Sequence, residues 1–380
     1  MDERERFIQD WLSKKWTMVE LSSRYRISRK TGYKWVARFR AHGYGGLEDL
    51  SRAPKSHPNG VSDDIEKLVV EARGDHPTWG PKKLKVILEG AHEGVRIPSR
   101  STIGVILEQH GLTVLRRRRR HCHPSNQPLA ECDGPNSLWC ADFKGHFKTG
   151  DGLRLDTLTI SDAYSRYLIR CQGMRPVRLE QAKAVFEAAF QEFGMPLRIR
   201  TDNGSPFAGT GLGGLSRLNF WWMQLGITPE RIEPGKPYQN GRHERMHLTL
   251  KQETASPPAR NFRAQQRRFD AFQDEFNNER PHEAIGFVPP AALYEPSPRV
   301  YPQRLPPIEY SGALIRRKVQ KRGEIYLHGN RVFLSEALAG QVVGLDPIDD
   351  DQFDIYFADI KLGIFDARQL RVFRNERNRS

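Results

Sequence analysis

The apolar run from Ser137 to Phe147 reads as a strand buried in a sheet, and it carries one carboxylate, Asp142, in its interior. A buried charge is costly unless something pairs with it, so this position asks for a cation or a strong donor. A second run, Leu197-Arg198-Ile199-Arg200, leads to Asp202, where Asn203 and Gly204 turn the chain out of the sheet and leave the carboxylate at the strand's carboxyl end. The third acid, Glu244, follows the segment Pro234-Gly235-Lys236-Pro237-Tyr238-Gln239-Asn240-Gly241, a loop that launches a helix. Three carboxylates converging from two strand ends and a helix make an oxygen-rich cage suited to hard cations such as Mg²⁺. That is the equipment of two-metal phosphoryl transfer.

Two other acids compete for these roles. Asp162, in TISDAYSR, also closes a strand, but Ala163, Tyr164 and Ser165 make it a hairpin turn between Leu155–Ile160 and Tyr167–Cys171. Glu233 precedes Pro234-Gly235, which starts no helix, whereas Glu244 stands at a helix start. The long interval from Asp202 to Glu244 fits a glycine-rich insertion at Ala208–Leu215.

The strings WCADFKG, IRTDNGSPF and PYQNGRHERMHLTLK resemble those of bacterial insertion-sequence transposases of the DDE, retroviral-integrase-like superfamily, and the likeness runs from the amino terminus to about residue 300. The resemblance implies a metal-dependent polynucleotidyl transferase with a ribonuclease H-like core and two Mg²⁺ or Mn²⁺ ions per site. Asp142 would bridge the ions, and Asp202 and Glu244 would complete one each. In the family a basic residue follows the glutamate by seven positions, and Lys251 stands there. Seven residues are close to two helical turns, so Lys251 shares a face with Glu244 and can meet a DNA phosphate, while Met246 and Leu250 turn to the core. The family also implies a homodimer or higher oligomer that holds two DNA ends in a synaptic complex.

The chain has 380 residues, enough for several domains, and 60 Lys plus Arg against 46 Asp plus Glu give a formal charge of +14. That excess is the footprint of a polyanionic partner. No apolar stretch approaches the roughly 18 residues that cross a bilayer, and MDERERFIQD has no signal-peptide core, so we expect no membrane partner and a cytoplasmic, nucleoid-associated protein. Four cysteines argue against a disulfide framework, and His121-Cys122-His123 with Cys132 lacks the paired spacing of a zinc site.

Residues 1–50 read as a helix-turn-helix domain with helices over Glu3–Lys14, Thr17–Tyr25 and Ser28–Ala41, Thr17 and Ser28 serving as N-caps. Trp35 and Phe39 pack inward, and Lys30, Lys34 and Arg38 form a basic face suited to a major groove. A second helix-turn-helix domain is expected over 60–112, with apolar stripes Ile65/Leu68/Val69, Leu84/Ile87/Leu88 and Ile103/Ile106/Leu107 and helix starts at Pro81 and Ser99. The linker 113–135 carries Arg116, Arg117, Arg118, Arg119 and Arg120, a phosphate-tracking tether.

The ribonuclease H-like α/β core is expected over 136–298, with strands near 137–148, 154–161, 166–174, 197–202 and 227–232 and helices near 179–193, 212–226 and 240–255. A further amphipathic helix, Phe262–Glu279, reads as a cover for that core. Over 308–375, short apolar runs between Gly, Asn and Asp turns suggest a small SH3-like β-barrel, with Asp349, Asp350 and Asp351 in a solvated loop. The fold class is thus multidomain α+β.

The function expected is a DNA transposase that binds terminal inverted repeats on double-stranded DNA, cleaves phosphodiesters and joins the 3′-hydroxyl ends to target DNA. The alternatives are a noncatalytic DNA-binding regulator derived from such an enzyme, and a metal-dependent nuclease that cuts without joining.

Overall fold

A computed structural model describes residues 3–49, 51, 60–113, 132–209, 212–232, 241–327, 329–349 and 351–374. Two compact units divide the chain, 1–62 and 63–380. In the first, α1 (Glu3–Leu12), α2 (Met18–Arg24) and α3 (Arg29–His42) begin and end where local chemistry dictates. Thr17 and Glu20 form a capping box on α2, and the Ser28 hydroxyl accepts the Thr31 N–H at 3.1 Å to cap α3. Gly43, at φ 63°, stops α3. Phe7, Ile8, Leu21, Val36 and Leu47 make the core, with Trp35 and Phe39 packed against it. A Cβ on Gly32 would meet Met18 Sδ at 2.7 Å and Phe7 Cζ at 3.0 Å, so a larger residue there would have to displace the Met18 side chain and crowd Phe7.

The second unit opens with α4 (Asp63–Asp75), α5 (Pro81–Ala91) and α6 (Arg100–Gln109). Pro81 occupies the first turn of α5, and Ser99 caps α6 through the Thr102 N–H. Val69, Leu84, Leu88, Ile103, Ile106 and Leu107 are buried, while Ile65, Leu68 and Ile87 are half-buried at the edge of the same stripes.

Five strands follow: β1 (Trp139–Lys148), β2 (Arg154–Asp162), β3 (Leu168–Met174), β4 (Arg198–Thr201) and β5 (Thr228–Arg231). They pair in the order β3-β2-β1-β4-β5, antiparallel on the β2 side of β1 and parallel on the β4 side. This is the mixed sheet expected of the core. Alternate residues reach opposite faces. Trp139, Ala141, Leu158, Ile160 and Ile199 meet Phe186 and Phe190 of α7 (Leu179–Phe193) and Leu218, Trp221 and Trp222 of α8 (Arg217–Gln224). On the other side, Leu155, Leu168 and Cys171 meet Met246 and Leu250 of α9 (Gly241–Thr254) and Phe269, Phe272 and Phe276 of α10 (Phe262–Asn278). The helix expected at 212–226 starts late, because Ser216 and Asn219 cap α8 reciprocally and leave Leu212–Gly214 as a 3₁₀ turn.

Helix α10 also closes a sheet edge. Gln266, Gln273 and Asn277 lie along β3, and each amide both accepts from and donates to its backbone. Gln266 takes the Gly173 N–H at 2.8 Å and gives to the Cys171 carbonyl at 3.0 Å. Gln273 takes the Cys171 N–H and gives to the Ile169 carbonyl, both at 3.1 Å, and Asn277 takes the Leu168 N–H at 2.8 Å and gives to its carbonyl at 3.0 Å. Side chains thus satisfy an edge that would otherwise need another strand.

The carboxyl-terminal strands are β6 (Ile315–Lys318), β7 (Glu324–Leu327), β8 (Asn330–Phe333), β9 (Val342–Pro347), β10 (Gln352–Phe357), β11 (Ile360–Asp366) and β12 (Arg371–Arg374). The expected barrel is not closed among the described residues: β12-β11-β10-β9-β6 form an open antiparallel sheet, and β7-β8 pair separately as a hairpin. The edge strands β6 and β12, absent from the sequence reading, are Ile-Arg-Arg-Lys and Arg-Val-Phe-Arg, cationic stretches that resist edge-to-edge pairing. Asp349 accepts the Asp351 and Gln352 N–H groups and is a turn former, and Asp350 lies outside the described residues. Leu212 and Leu215 of the glycine-rich insertion, with Phe220 and Met223 of α8, belong to the core of this sheet, so α8 is buried on two sides.

Replacing Asn277 with Leu leaves a buried N–H and carbonyl of Leu168 unpaired and should lower unfolding free energy by about 1–3 kcal/mol in denaturant titrations. The neighbouring exposed Asn278→Ala change should cost less than about 0.5 kcal/mol. Equal effects would show that the amide row does not satisfy the edge.

Candidate active site

Register decides where the first two acids go. Ala141 pairs with Thr201 in the parallel β1–β4 ladder, so the next residues, Asp142 and Asp202, are neighbours on adjacent strands. Trp139, Ala141 and Ile199 face α7 and α8, which sends 142 and 202 to the opposite face, the one covered by α9. Asp142 lies inside β1, which continues past the point where β4 ends. Just beyond β4, the Gly204 N–H donates to Asp202 Oδ1 at 3.1 Å and the Asn203 amide donates to the Ile232 carbonyl at 2.9 Å. A Cβ at Gly204 would stand 3.0 Å from Asp202 Oδ2, so a larger residue there would push on the carboxylate.

Helix α9 presents two faces. His243, Met246, His247, Leu250 and Thr254 are buried, whereas Glu244, Leu248 and Lys251 are exposed. Glu244 and Lys251 therefore share a face, and Met246 and Leu250 enter the core. Among the described residues no group of three His, Cys, Asp or Glu stands close enough to hold one metal ion. The register makes Asp142 and Asp202, each the next residue in sequence beyond the Ala141–Thr201 pair, adjacent positions, and Glu244 lies on the exposed side of α9.

Sequence reasoning missed the histidines. His243-Glu244-Arg245-Met246-His247 has the H-E-x-x-H spacing that places two imidazoles on one helical face, and that spacing was the available signal. Here both turn to the sheet. His243 Nε2 and His247 Nε2 lie 2.9 and 2.7 Å from the Thr159 hydroxyl, and Thr159 stands opposite Asp142 in the β1–β2 ladder. His247 Nδ1 is 3.9 Å from Asp142 Oδ2. Burial pushes the His243 imidazole down to about 4, so it is neutral at physiological pH.

Asp162 occupies a different setting. Its carboxylate accepts the Asn136 N–H at 2.8 Å and the Ser165 N–H and hydroxyl, both at 2.7 Å. Burial raises its pKa against the lowering effect of those donors. It ties the β2–β3 turn to the turn that leads into β1.

Around the DNA-binding candidates, Lys30 and Lys34 are exposed on α3 and Arg38 is half-buried. Arg116, Arg117, Arg118, Arg119 and Arg120 lie outside the described residues, as do Glu233 and residues 234–240. A cationic and aromatic junction joins α5 to the end of α9. Trp79 stacks on His76 with ring centroids 3.8 Å apart, and the Arg280 guanidinium lies 5.5 Å from its ring. Arg280 pairs with Glu253 in the last turn of α9, and Thr78 bonds the same carboxylate. Burial, with Arg280 nearby, pushes Lys83 down to about 8, and burial together with the Lys83 and Arg280 cations pushes His282 down to about 3.

Two integrase core domain models match residues 133–237 and 225–290, a helix-turn-helix domain model matches 3–55, and a homeodomain-like domain model matches 31–107. An uncharacterized 39.2 kDa protein of insertion element IS476 from Xanthomonas euvesicatoria is 28% identical over 302 residues, spanning 75% of this chain and 80% of its own length. An uncharacterized 31.7 kDa protein of insertion element IS407 from Burkholderia multivorans is 25% identical over 241 residues, 63% of this chain and 82% of its own. Among solved structures, the simian T-cell lymphotropic virus intasome in complex with PP2A regulatory subunit B56 gamma is similar over 77% of this chain and 97% of that one, at 15% identity and a TM-score of 0.38. The HTLV-2 integrase catalytic core domain in complex with magnesium is similar over 43% of this chain and all of that one, at 16% identity and a TM-score of 0.34. The integrase core matches, the helix-turn-helix matches and the insertion-element relatives together support a bacterial insertion-sequence transposase of the DDE and integrase superfamily. Its broad role is in DNA transposition. No helix among the described residues is long and apolar enough to cross a membrane.

The His282 environment makes stability depend on pH. Its folded pKa, about 3, lies below the ordinary value of 6.5, so between these the unfolded chain binds the extra proton and stability falls as pH falls. One such group gives a slope of up to ~1.4 kcal/mol per pH unit. His282→Gln should flatten the loss measured between pH 7 and 5 by about one proton's worth, the remainder reflecting groups such as His243. An unchanged slope would show that His282 is not held neutral.

Proposed function

We propose that this chain is a transposase that binds the terminal repeats of its element, cleaves phosphodiesters at the element ends and joins the freed 3′-hydroxyls to target DNA. One observation supports the reading: the parallel register that pairs Ala141 with Thr201 and so makes Asp142 and Asp202 adjacent positions on two strands, on the side of the sheet covered by α9, the helix that carries Glu244 on its exposed face. Two carboxylates at adjacent strand positions repel each other unless cations neutralise them. The donors are hard oxygens, which fits Mg²⁺ or Mn²⁺, and Asp142, Asp202 and Glu244 would hold two such ions. When bound, the ions supply water activation at neutral pH and neutralise the charge that builds on the leaving 3′ oxygen.

The chain's own residues do the positioning. The exposed face shared by Glu244 and Lys251 lets the Lys251 ammonium grip a backbone phosphate within two helical turns of the acid. Lys30, Lys34 and Arg38 present cations from α3 to a major groove, and the Arg116–Arg120 run adds contacts that do not depend on sequence. In the joining step the 3′-hydroxyl gives up its proton and forms a new P–O bond to a target phosphate, and the target's own P–O bond to its 3′ oxygen breaks. One phosphodiester replaces another, so no ATP is needed. Two ends must be presented together, which calls for a homodimer or larger assembly on the DNA.

The purified chain, given Mg²⁺ or Mn²⁺ and labelled DNA with the element's terminal repeats, should nick the ends and join them to a plasmid. Asp142→Asn, Asp202→Asn and Glu244→Gln should each abolish both steps while retaining end binding. Binding without cleavage by any form would identify a noncatalytic regulator, and cleavage without joining of precut ends would identify a nuclease.

Lys34→Ala should weaken end binding and reduce the slope of log affinity against log salt by about 1. A salt slope equal to that of the wild type would remove Lys34 from the phosphate contacts.

A further inference from the structure

We infer that His247 is a positioning residue for the Asp142 carboxylate, held in place by the Thr159 hydroxyl. The inference rests on the proposal that Asp142 is a metal ligand. Thr159 has one hydroxyl hydrogen and three neighbours: His247 Nε2 at 2.7 Å, His243 Nε2 at 2.9 Å and the Asp142 carbonyl at 3.2 Å. The Asp142 carbonyl can only accept and competes for that hydrogen at the longest of the three distances; given to the nearest neighbour, His247 Nε2, it places the imidazole's own hydrogen on Nδ1. Nδ1 is the atom that faces Asp142 Oδ2 at 3.9 Å. The opposite assignment would set two lone pairs against each other across that gap. His243 completes the arrangement by donating Nε2–H to Thr159, its Nδ1 lying 3.5 Å from the Ser161 hydroxyl.

At 3.9 Å the Nδ1–H does not form a direct hydrogen bond, and it acts on the carboxylate as an oriented positive dipole that a small side-chain rotation brings into bonding range. Its effect is to restrict the rotation of Asp142 and hold Oδ2. The His243/His247 pair has the spacing of a zinc-binding helix, yet both Nε2 atoms are already at hydrogen-bond distance from one hydroxyl on β2. This favours orientation of a carboxylate over a separate soft-metal site.

Asparagine and glutamine separate the two ends of the ring. His247→Asn keeps an N–H near the Nδ1 position, and His247→Gln keeps one near Nε2. Mn²⁺ binding to the full chain is read from the free-ion paramagnetic resonance signal, beside thermal melting, terminal-repeat DNA binding and the Mg²⁺ concentration that half-saturates joining. His247→Gln should weaken Mn²⁺ binding by about 10–100-fold and raise the Mg²⁺ requirement in proportion, with DNA binding unchanged, while His247→Asn stays close to wild type. If both variants bind Mn²⁺ like wild type while Asp142→Asn does not, the positioning role fails and the metal assignment stands. If both lose Mn²⁺ equally and melt lower, His247 is only a packing element. Zn²⁺ uptake by the wild type that disappears in both variants would overturn the proposal in favour of a histidine metal site. If Asp142→Asn binds Mn²⁺ as tightly as wild type, the assignment of Asp142 and this inference fall together.

Discussion

The site depends on β4 lying parallel to β1 in one particular register. β1, β2 and β3 are joined by tight connections and can pair antiparallel without help, but a parallel neighbour needs a crossover, which α7 supplies between β3 and β4. Burial of Trp139, Ala141 and Ile199 against α7 and α8 then sets parity. Slipping β4 by a single residue would put Ile199 on the α9 face and turn Asp202 towards the apolar cluster. The energy that keeps two carboxylates together is therefore spent elsewhere, in the aromatic packing of Trp139, Phe186, Phe190 and Trp222 on the opposite side of the sheet.

Helix α9 is governed by the same logic. Successive helical residues diverge by about 100°, so burying His243 necessarily displaces Glu244 from the sheet-facing direction. Met246, His247 and Leu250 continue the buried stripe, and Glu244 and Lys251 follow each other on the exposed one. What the helix buries thus determines what it can offer to DNA. Helix α10, packed beside it, fulfils a separate requirement by ending β3 with the Gln266, Gln273 and Asn277 amides.

Much of this was legible in the residues. Capping signals located α2, α3, α5 and α6, because Thr17, Ser28, Pro81 and Ser99 act over distances of three or four residues, and apolar runs located the five core strands to within a couple of positions. Asp162 was readable as a turn acid from Ala163-Tyr164-Ser165, and its three donors come from that turn and from Asn136. Long-range pairings were not legible. Charged β6 and β12 show no apolar alternation, since their place at sheet edges exposes them, and whether the carboxyl-terminal sheet closes depends on how the β7–β8 hairpin pairs. The His243/His247 spacing was visible, but its destination was not: Thr159 lies more than eighty residues away, on β2.

The placement of Glu244 also depends on what holds the far end of α9. Glu253 lies nine residues beyond it, about 13.5 Å along an ideal helix axis. There its carboxylate is shared by Arg280, which follows α10, and Thr78, which precedes α5, and Arg280 also covers the Trp79 ring. One anchor alone would leave the helix free to roll about its contact. With the two histidines fixed on β2 and Glu253 fixed at the α5 junction, both translation and rotation are constrained, and the exposed stripe is held in one direction. Breaking such a buried pair leaves an uncompensated charge, which typically costs about 3–5 kcal/mol, so the junction resists separation more strongly than an exposed ion pair could. The short helices α4–α6 are thereby tied to the same rigid element that carries Glu244, and the orientation of that acid follows from contacts at the two ends of α9 as much as from its own surroundings.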